Sequence, residues 1–164
     1  MKKKIIIYSS NFLSPKVFLE PQISKLETKY KIFLATNIKG MKSVDRIKNI
    51  NYLNLPFSRK PSSKDVLLFF SILLLNFKHK FDYSITITPK AGLFGNLASF
   101  FFNLPVRVHI FTGQIWANKK GFFVKILFYI DKIISLLSTH VMCDGVSQKN
   151  FLKKNKLTDK KIFV

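Results

Sequence analysis

The sequence predicts an α/β domain: a parallel sheet of about seven strands flanked by helices. Three observations carry this. Short β-rich apolar runs alternate with helical stretches along the whole chain, which is the pattern of βαβ units. The strand runs are apolar without interruption, as strands covered on both faces require. A length of 164 residues suits one domain with a real core, so residues 1–164 are read as a single unit.

Strands are expected at Lys4–Tyr8, Ile32–Ala35, Ile50–Leu53, Tyr83–Thr88, Val106–Phe111, His140–Cys143 and Ile162–Val164. The first follows Lys2-Lys3-Lys4, and its apolar run stops at Ser9-Ser10-Asn11 with no small-residue cleavage site, so it reads as a buried strand and not a leader. Ser14-Pro15 and Glu20-Pro21 each offer a proline for the first position of a helix passing through Ile23 and Leu26. Residues Asn37 to Asn49 are the most polar stretch and form a basic surface loop.

Ser62 and Asp65 have capping-box spacing ahead of a helix that reaches about Phe77. Its run from Val66 to Leu75 is about half of the roughly 20 residues needed to span a bilayer. Being apolar on nearly every side, it must be packed on both sides, or lie against lipid or a missing partner. The next helix runs from Ala91 to Phe102 and ends before Pro105. From Phe122 to Leu137, Lys125, Tyr129 and Lys132 share one helical face, while Phe123, Ile126, Leu127, Ile130, Ile133 and Leu137 form another. That pattern fits a core-facing helix with solvated lysines, or a helix lying in a membrane interface with Phe128 and Leu136 adding apolar surface.

The formal charge of +20 favours anionic partners, and fits either a solvated basic surface or one facing acidic lipid. Nucleic acid is disfavoured, because neither an Arg-rich patch with interleaved aromatics nor a recognisable module occurs. Cys143 is the single cysteine, which rules out an intrachain disulfide and suits a reducing cytoplasm. His79, His109 and His140 are scattered and read as structural, and no metal-ligand spacing or catalytic triad emerges.

In an open parallel sheet, ligands bind beyond the carboxyl ends of the strands. That rule selects Ser9-Ser10-Asn11-Phe12, Thr88-Pro89-Lys90-Ala91-Gly92, Thr112-Gly113-Gln114-Ile115-Trp116 and Asp144-Gly145-Val146-Ser147. The second segment leads from a strand straight into a helix, so free amides and Lys90 fit a phosphate or carboxylate; an N-capping Thr88 with a surface lysine fits equally. Gly113 permits close approach of a ligand, Gln114 offers donor and acceptor, and Trp116 is either a platform for a sugar or lipid or a cover for the sheet end. Ser9-Ser10-Asn11 lacks the glycines of a dinucleotide site and no P-loop occurs, which disfavours nicotinamide and ATP.

Thr88-Pro89-Lys90-Ala91-Gly92-Leu93-Phe94-Gly95, Pro105-Val106-Arg107 and Phe111-Thr112-Gly113-Gln114-Ile115-Trp116-Ala117 resemble the N-terminal domain of family 4 glycosyltransferases. Thr139-His140-Val141, Asp144 and Ser147-Gln148 extend the match across essentially the whole chain. The resemblance implies a Rossmann-like domain, the N-terminal half of a GT-B fold. It implies transfer of a sugar from a nucleotide-diphosphate sugar to a lipid-linked glycan acceptor, in capsule or lipopolysaccharide synthesis, at the cytoplasmic face of an anionic membrane. Lys90, Thr112, Gly113 and Gln114 would lie near the reacting sugar, and Ser10 and Asn11 near its phosphate, with Phe12, Thr88, Trp116 and Ser147 in the same wall. Many relatives carry a histidine where Thr112 stands. No cofactor is expected in this chain: the donor belongs to a C-terminal domain or a separate subunit, without which the chain would be inactive. The alternative is a non-catalytic basic membrane-associated module, or a subunit of a split transferase.

Overall fold

The computed structural model of the chain describes residues 2–58, 61–117 and 120–164. Its seven strands are β1 Lys4–Ser9, β2 Lys31–Thr36, β3 Asn51–Asn54, β4 Tyr83–Ile87, β5 Val106–Phe111, β6 His140–Cys143 and β7 Ile162–Phe163. All pair in parallel in the order β3-β2-β1-β4-β5-β6-β7. Five helices join them: α1 Leu13–Leu26, α2 Lys64–His79, α3 Pro89–Phe101, α4 Phe122–Leu137 and α5 Val146–Lys154. The expected α/β architecture and its seven strands are therefore present, each boundary within a residue or so of the reading.

The strand order reverses direction at β1 and β4, so α1 falls on one side of the sheet and the helices following β4 on the other. Ile5, Ile7, Ile32 and Leu34 face α1 and pack with its Leu19 and Ile23. Ile6, Tyr8, Phe33 and Ala35 face the opposite way and pack with Leu68 and Ile72 of α2 and Ala91 and Ala98 of α3. Further along that second face, Phe111, Val141 and Cys143 meet Ile134 of α4 and Leu152 of α5. This alternation of neighbouring strand residues between two covered faces is why the runs are largely apolar, with buried Ser84, Thr86 and His109 the polar exceptions in β4 and β5.

Polar groups lock the helices to the sheet. Asn76 of α2 donates to the Tyr8 hydroxyl at 2.6 Å. Asn96 of α3 donates to Thr86 Oγ1 at 2.9 Å, and that oxygen also lies 2.7 Å from His109 Nδ1. His109 is structural, as read: buried, with desolvation holding its imidazole down to about 3, so it is neutral at ordinary pH. Two glycines let α3 approach this closely. A Cβ at Gly92 would stand 2.6 Å from His109 Cε1, and one at Gly95 would stand 2.8 Å from Tyr8 Cδ2.

Three local expectations are corrected. Helix α1 starts at Leu13, upstream of both prolines, and continues through Pro21 on an exposed turn. Only half of the capping box forms: Asp65 accepts the Ser62 amide at 3.1 Å, while no side chain caps α2 from its N-terminal side. The polar segment between Asn37 and Asn49 is not wholly superficial, because it folds a short 3-10 turn at Ser43–Asp45 and buries Ile47 against the α1 side of the core.

Candidate functional site

Parallel pairing puts the carboxyl ends of all strands at one rim. Ser9 stands beside Ile87, Ile87 beside Ile110, and Phe111 beside Cys143. The segments expected to carry chemistry leave the sheet there, so Ser10, Lys90, Gln114 and Ser147 belong to one edge of the molecule.

At the switch between β1 and β4, Ser10 and Thr88 meet directly. The Ser10 amide donates to Thr88 Oγ1 at 3.0 Å, and the two hydroxyls are 2.9 Å apart. Thr88 holds a φ of 76°, a region that a β-branched residue rarely occupies and one that costs about 1–3 kcal/mol. The Ser10 contacts fasten that strained residue at the mouth of α3, where the Gly92 amide donates to the Thr88 carbonyl at 2.7 Å. Asn11 is committed locally: its Oδ1 accepts the Ser14 amide at 2.8 Å and starts α1. Phe12 follows Asn11 as the N-cap residue of that helix, half-buried.

Lys90 is engaged in an ion pair with the neighbouring helix. Its ammonium lies 2.9 Å from Asp65 Oδ1 and 3.0 Å from Ser58 Oγ, tying α3 to the start of α2. The reason is electrostatic: a half-buried carboxylate is available on the neighbouring helix, and a desolvated ion pair outcompetes an open rim.

Between the loops after β5 and β6 lies a shallow hollow of about 590 Å³, lined by Gly113, Gln114, Asp144, Ser147 and Gln148 among others. Gly113 takes a φ of 126°, open to glycine, with nothing near the space a side chain would fill. Gln148 donates its amide to Gln114 Oε1, while Gln114 Nε2 is buried with no acceptor among the described residues. A buried donor with no partner costs about 1–3 kcal/mol, which a ligand oxygen would recover. Thr112 precedes this hollow, half-buried, and Ser147 stands exposed at the start of α5.

Trp116 is no platform. It is 7% exposed, its indole donates to Asp131 Oδ2 at 2.8 Å, and its ring packs against Phe128 and Phe151. The ring is thus held from within, and through Phe151, which lines the hollow, it supports the floor there. Burial pushes the Asp131 carboxyl up to about 6, partly offset by the Trp116 hydrogen bond. Sequence reading missed this pair. Its signal was a lone acid in the apolar stretch between Phe122 and Leu137, which needs a donor when it faces inward.

Among the described residues, no three His, Cys, Asp or Glu side chains gather as metal ligands. No described helix is long and apolar enough to cross a membrane.

No family model matches the chain. It is 31% identical over 110 residues to the capsular polysaccharide biosynthesis glycosyltransferase CapM of Staphylococcus aureus, an alignment covering 60% of this chain and 29% of that relative. The chain therefore spans under a third of that relative's length. Among solved structures it superposes on a UDP-N-acetylglucosamine 2-epimerase from Rickettsia bellii with a TM-score of 0.71 at 14% identity, covering 99% of this chain and 44% of that one. A sucrose-phosphate synthase from Thermosynechococcus elongatus matches with a TM-score of 0.66 at 10% identity, over 99% and 87% of the two chains. MurG of Acinetobacter baumannii gives 0.64 at 11% identity, over 99% and 44%. At such identities the structures establish fold: a Rossmann-like domain of the kind that forms half of a GT-B protein. The resemblance read from the loops after β4 and β5 stands with them.

Proposed function

We propose, from a GT-B half-domain related in sequence to a capsular glycosyltransferase, that this chain is the acceptor-binding side of an enzyme transferring a sugar from a nucleotide-diphosphate sugar to a lipid-linked glycan acceptor in surface polysaccharide synthesis. The observation that carries the reading is Gln114, which lines the hollow at the carboxyl rim and whose Nε2 has no acceptor among the described residues; a turn of the side chain toward the hollow would offer that donor to a glycan hydroxyl or ring oxygen. Gly113 allows the acceptor to approach the backbone. Ser10, Thr88 and the N-terminal amides of α3 form a neutral-to-positive corner suited to the acceptor's phosphate. Asn11 and Lys90 act on that corner indirectly, by fixing α1 and α3 in place.

The chain offers no glycine-rich phosphate loop, so the nucleotide is assigned to a second domain or subunit that closes over this rim and stabilises the leaving diphosphate. The enzyme works at the cytoplasmic face of the cell membrane, where lipid-linked acceptors are presented.

The test combines the chain with a donor-binding half, in cis or in trans, together with nucleotide sugars and lipid-linked acceptor from a capsule pathway. Transfer is expected, and Gln114→Ala should weaken acceptor binding by about tenfold, the equivalent of one hydrogen bond from a buried donor. Absence of both transfer and acceptor binding would remove the proposal. A non-catalytic membrane module is the second reading, favoured by the outward apolar side chains of α2 and α4. It would be selected if the chain bound vesicles but no glycan and Gln114→Ala changed nothing.

A further inference from the structure

The outer surface of the α2–α3–α4 layer has a composition that the fold does not explain. Helix α2 buries Leu68 and Ile72 but turns Val66, Leu67, Phe70, Leu74 and Phe77 outward, with Phe70 62% and Phe77 68% exposed. Helix α4 buries Asp131, Ile134 and Ser135 and turns Phe122, Phe123 and Leu136 outward, each about three-quarters exposed at 74%, 75% and 76%. Between them α3, sunk toward the sheet by its glycines, adds Phe100 and Phe101. Soluble monomers rarely leave this many large apolar side chains of neighbouring helices in water.

The charges on this surface have one sign. Lys64 and Lys78 stand exposed on α2, and Lys125 and Lys132 on α4. The two acids of these helices are withdrawn, Asp65 in its ion pair with Lys90 and Asp131 beneath Trp116. A second copy of the chain would therefore press lysines against lysines across the face, with no exposed carboxylate on these helices to answer them. An anionic bilayer answers both features at once, taking aromatic and aliphatic side chains at its acyl boundary and lysines among its headgroups.

We propose that the outer face of α2, α3 and α4 docks flat on an anionic lipid bilayer, with α2 and α4 lying in the interface plane. This deepens the peripheral placement given above and rests on it, but is independent of sugar transfer. The helices run from the carboxyl rim back across the sheet, so docking holds the rim's hollow at the membrane edge and leaves α1 facing water.

The experiment is flotation of the chain with vesicles of phosphatidylcholine alone, or of equal parts phosphatidylcholine and phosphatidylglycerol. No sugar or acceptor is present, so failure here says nothing against transfer. Binding to the mixed vesicles is expected to exceed binding to the neutral ones by at least tenfold. Joint replacement Phe70→Gln and Phe123→Gln, at exposed positions whose loss leaves the circular dichroism unchanged, should weaken binding tenfold or more. Lys125→Gln or Lys132→Gln should each weaken it about fivefold. Val17→Gln on α1, on the opposite side of the sheet, should leave it unaltered. Equal binding to both vesicle types, or retention by the double phenylalanine variant, overturns the proposal. So does a chain that ignores vesicles and dimerises through this face, with the phenylalanine replacements dissolving the dimer.

Discussion

Replacing Gly95 with alanine should destabilise the chain, although alanine is the better helix former. The new Cβ would sit 2.8 Å from Tyr8 Cδ2 and 2.9 Å from Thr86 Cγ2, distances that side-chain carbons do not tolerate. Neither neighbour can yield cheaply. Both are fully buried, the Tyr8 hydroxyl is held by Asn76, and Thr86 Oγ1 is held by Asn96 beside His109. Overpacking of this kind costs about 1–3 kcal/mol, and the fixed partners place Gly95 near about 3. Gain in helix propensity returns roughly 1, leaving a net loss of about 2 kcal/mol. In urea, with a slope of about 2 kcal/mol per molar, the midpoint should fall by roughly 1 M while the slope is unchanged. A midpoint that rises would mean that propensity alone operates at Gly95 and that α3 is not seated on Tyr8 as described.

The buried acid gives a pH signature. Between the ordinary aspartate value and about 6, folded Asp131 keeps a proton that the unfolded chain has released, so its contribution to stability falls as pH rises through that window and is lowest above it. Relative to Asp131→Asn, the wild type should lose up to roughly 3 kcal/mol between pH 4 and 7, measured by urea unfolding; a flat difference would refute the burial of this carboxyl. Neutral, buried His109 pulls the other way, favouring the folded state as pH rises from about 3 toward its ordinary value, but it is common to both proteins and cancels. Trp116→Phe removes the one donor seen on that carboxylate and should cost about 2–3 kcal/mol above pH 7 and distinctly less at pH 4.5. A cost that does not change with pH would show that packing, not the hydrogen bond, is what Trp116 supplies.

The strands were legible because a sheet covered on both faces demands unbroken apolar runs, and few other structures do. Side-chain direction was harder to read. Helix α4 is apolar around most of its circumference, so the stripe through Phe123, Ile126 and Ile133 looked as good a core face as any. The inward Asp131, matched by Trp116, turns the buried face toward Ile134 and Ser135 and leaves that stripe exposed. Only a partner distant in sequence decides the rotation, and periodicity does not report partners. The Lys90 ion pair was hidden for the same reason: its partner Asp65 lies on another helix. Gly113 and Gln114, in contrast, were found because a loop leaving a strand end owes nothing to core packing.

An interior strand of the sheet, β1 pairs through Ile5 with Ile32 on one side and with Tyr83 on the other. During synthesis this apolar strand emerges ahead of both partners and waits through everything between Ser9 and Tyr83 for its second neighbour. No hairpin shelters it, since parallel strands join only through crossovers. Nascent chains stalled before β4 should thus be clients for trigger-type chaperones and prone to aggregate, whereas chains that have released β4 and α3 can close the second edge of β1 and cover its α3-side face.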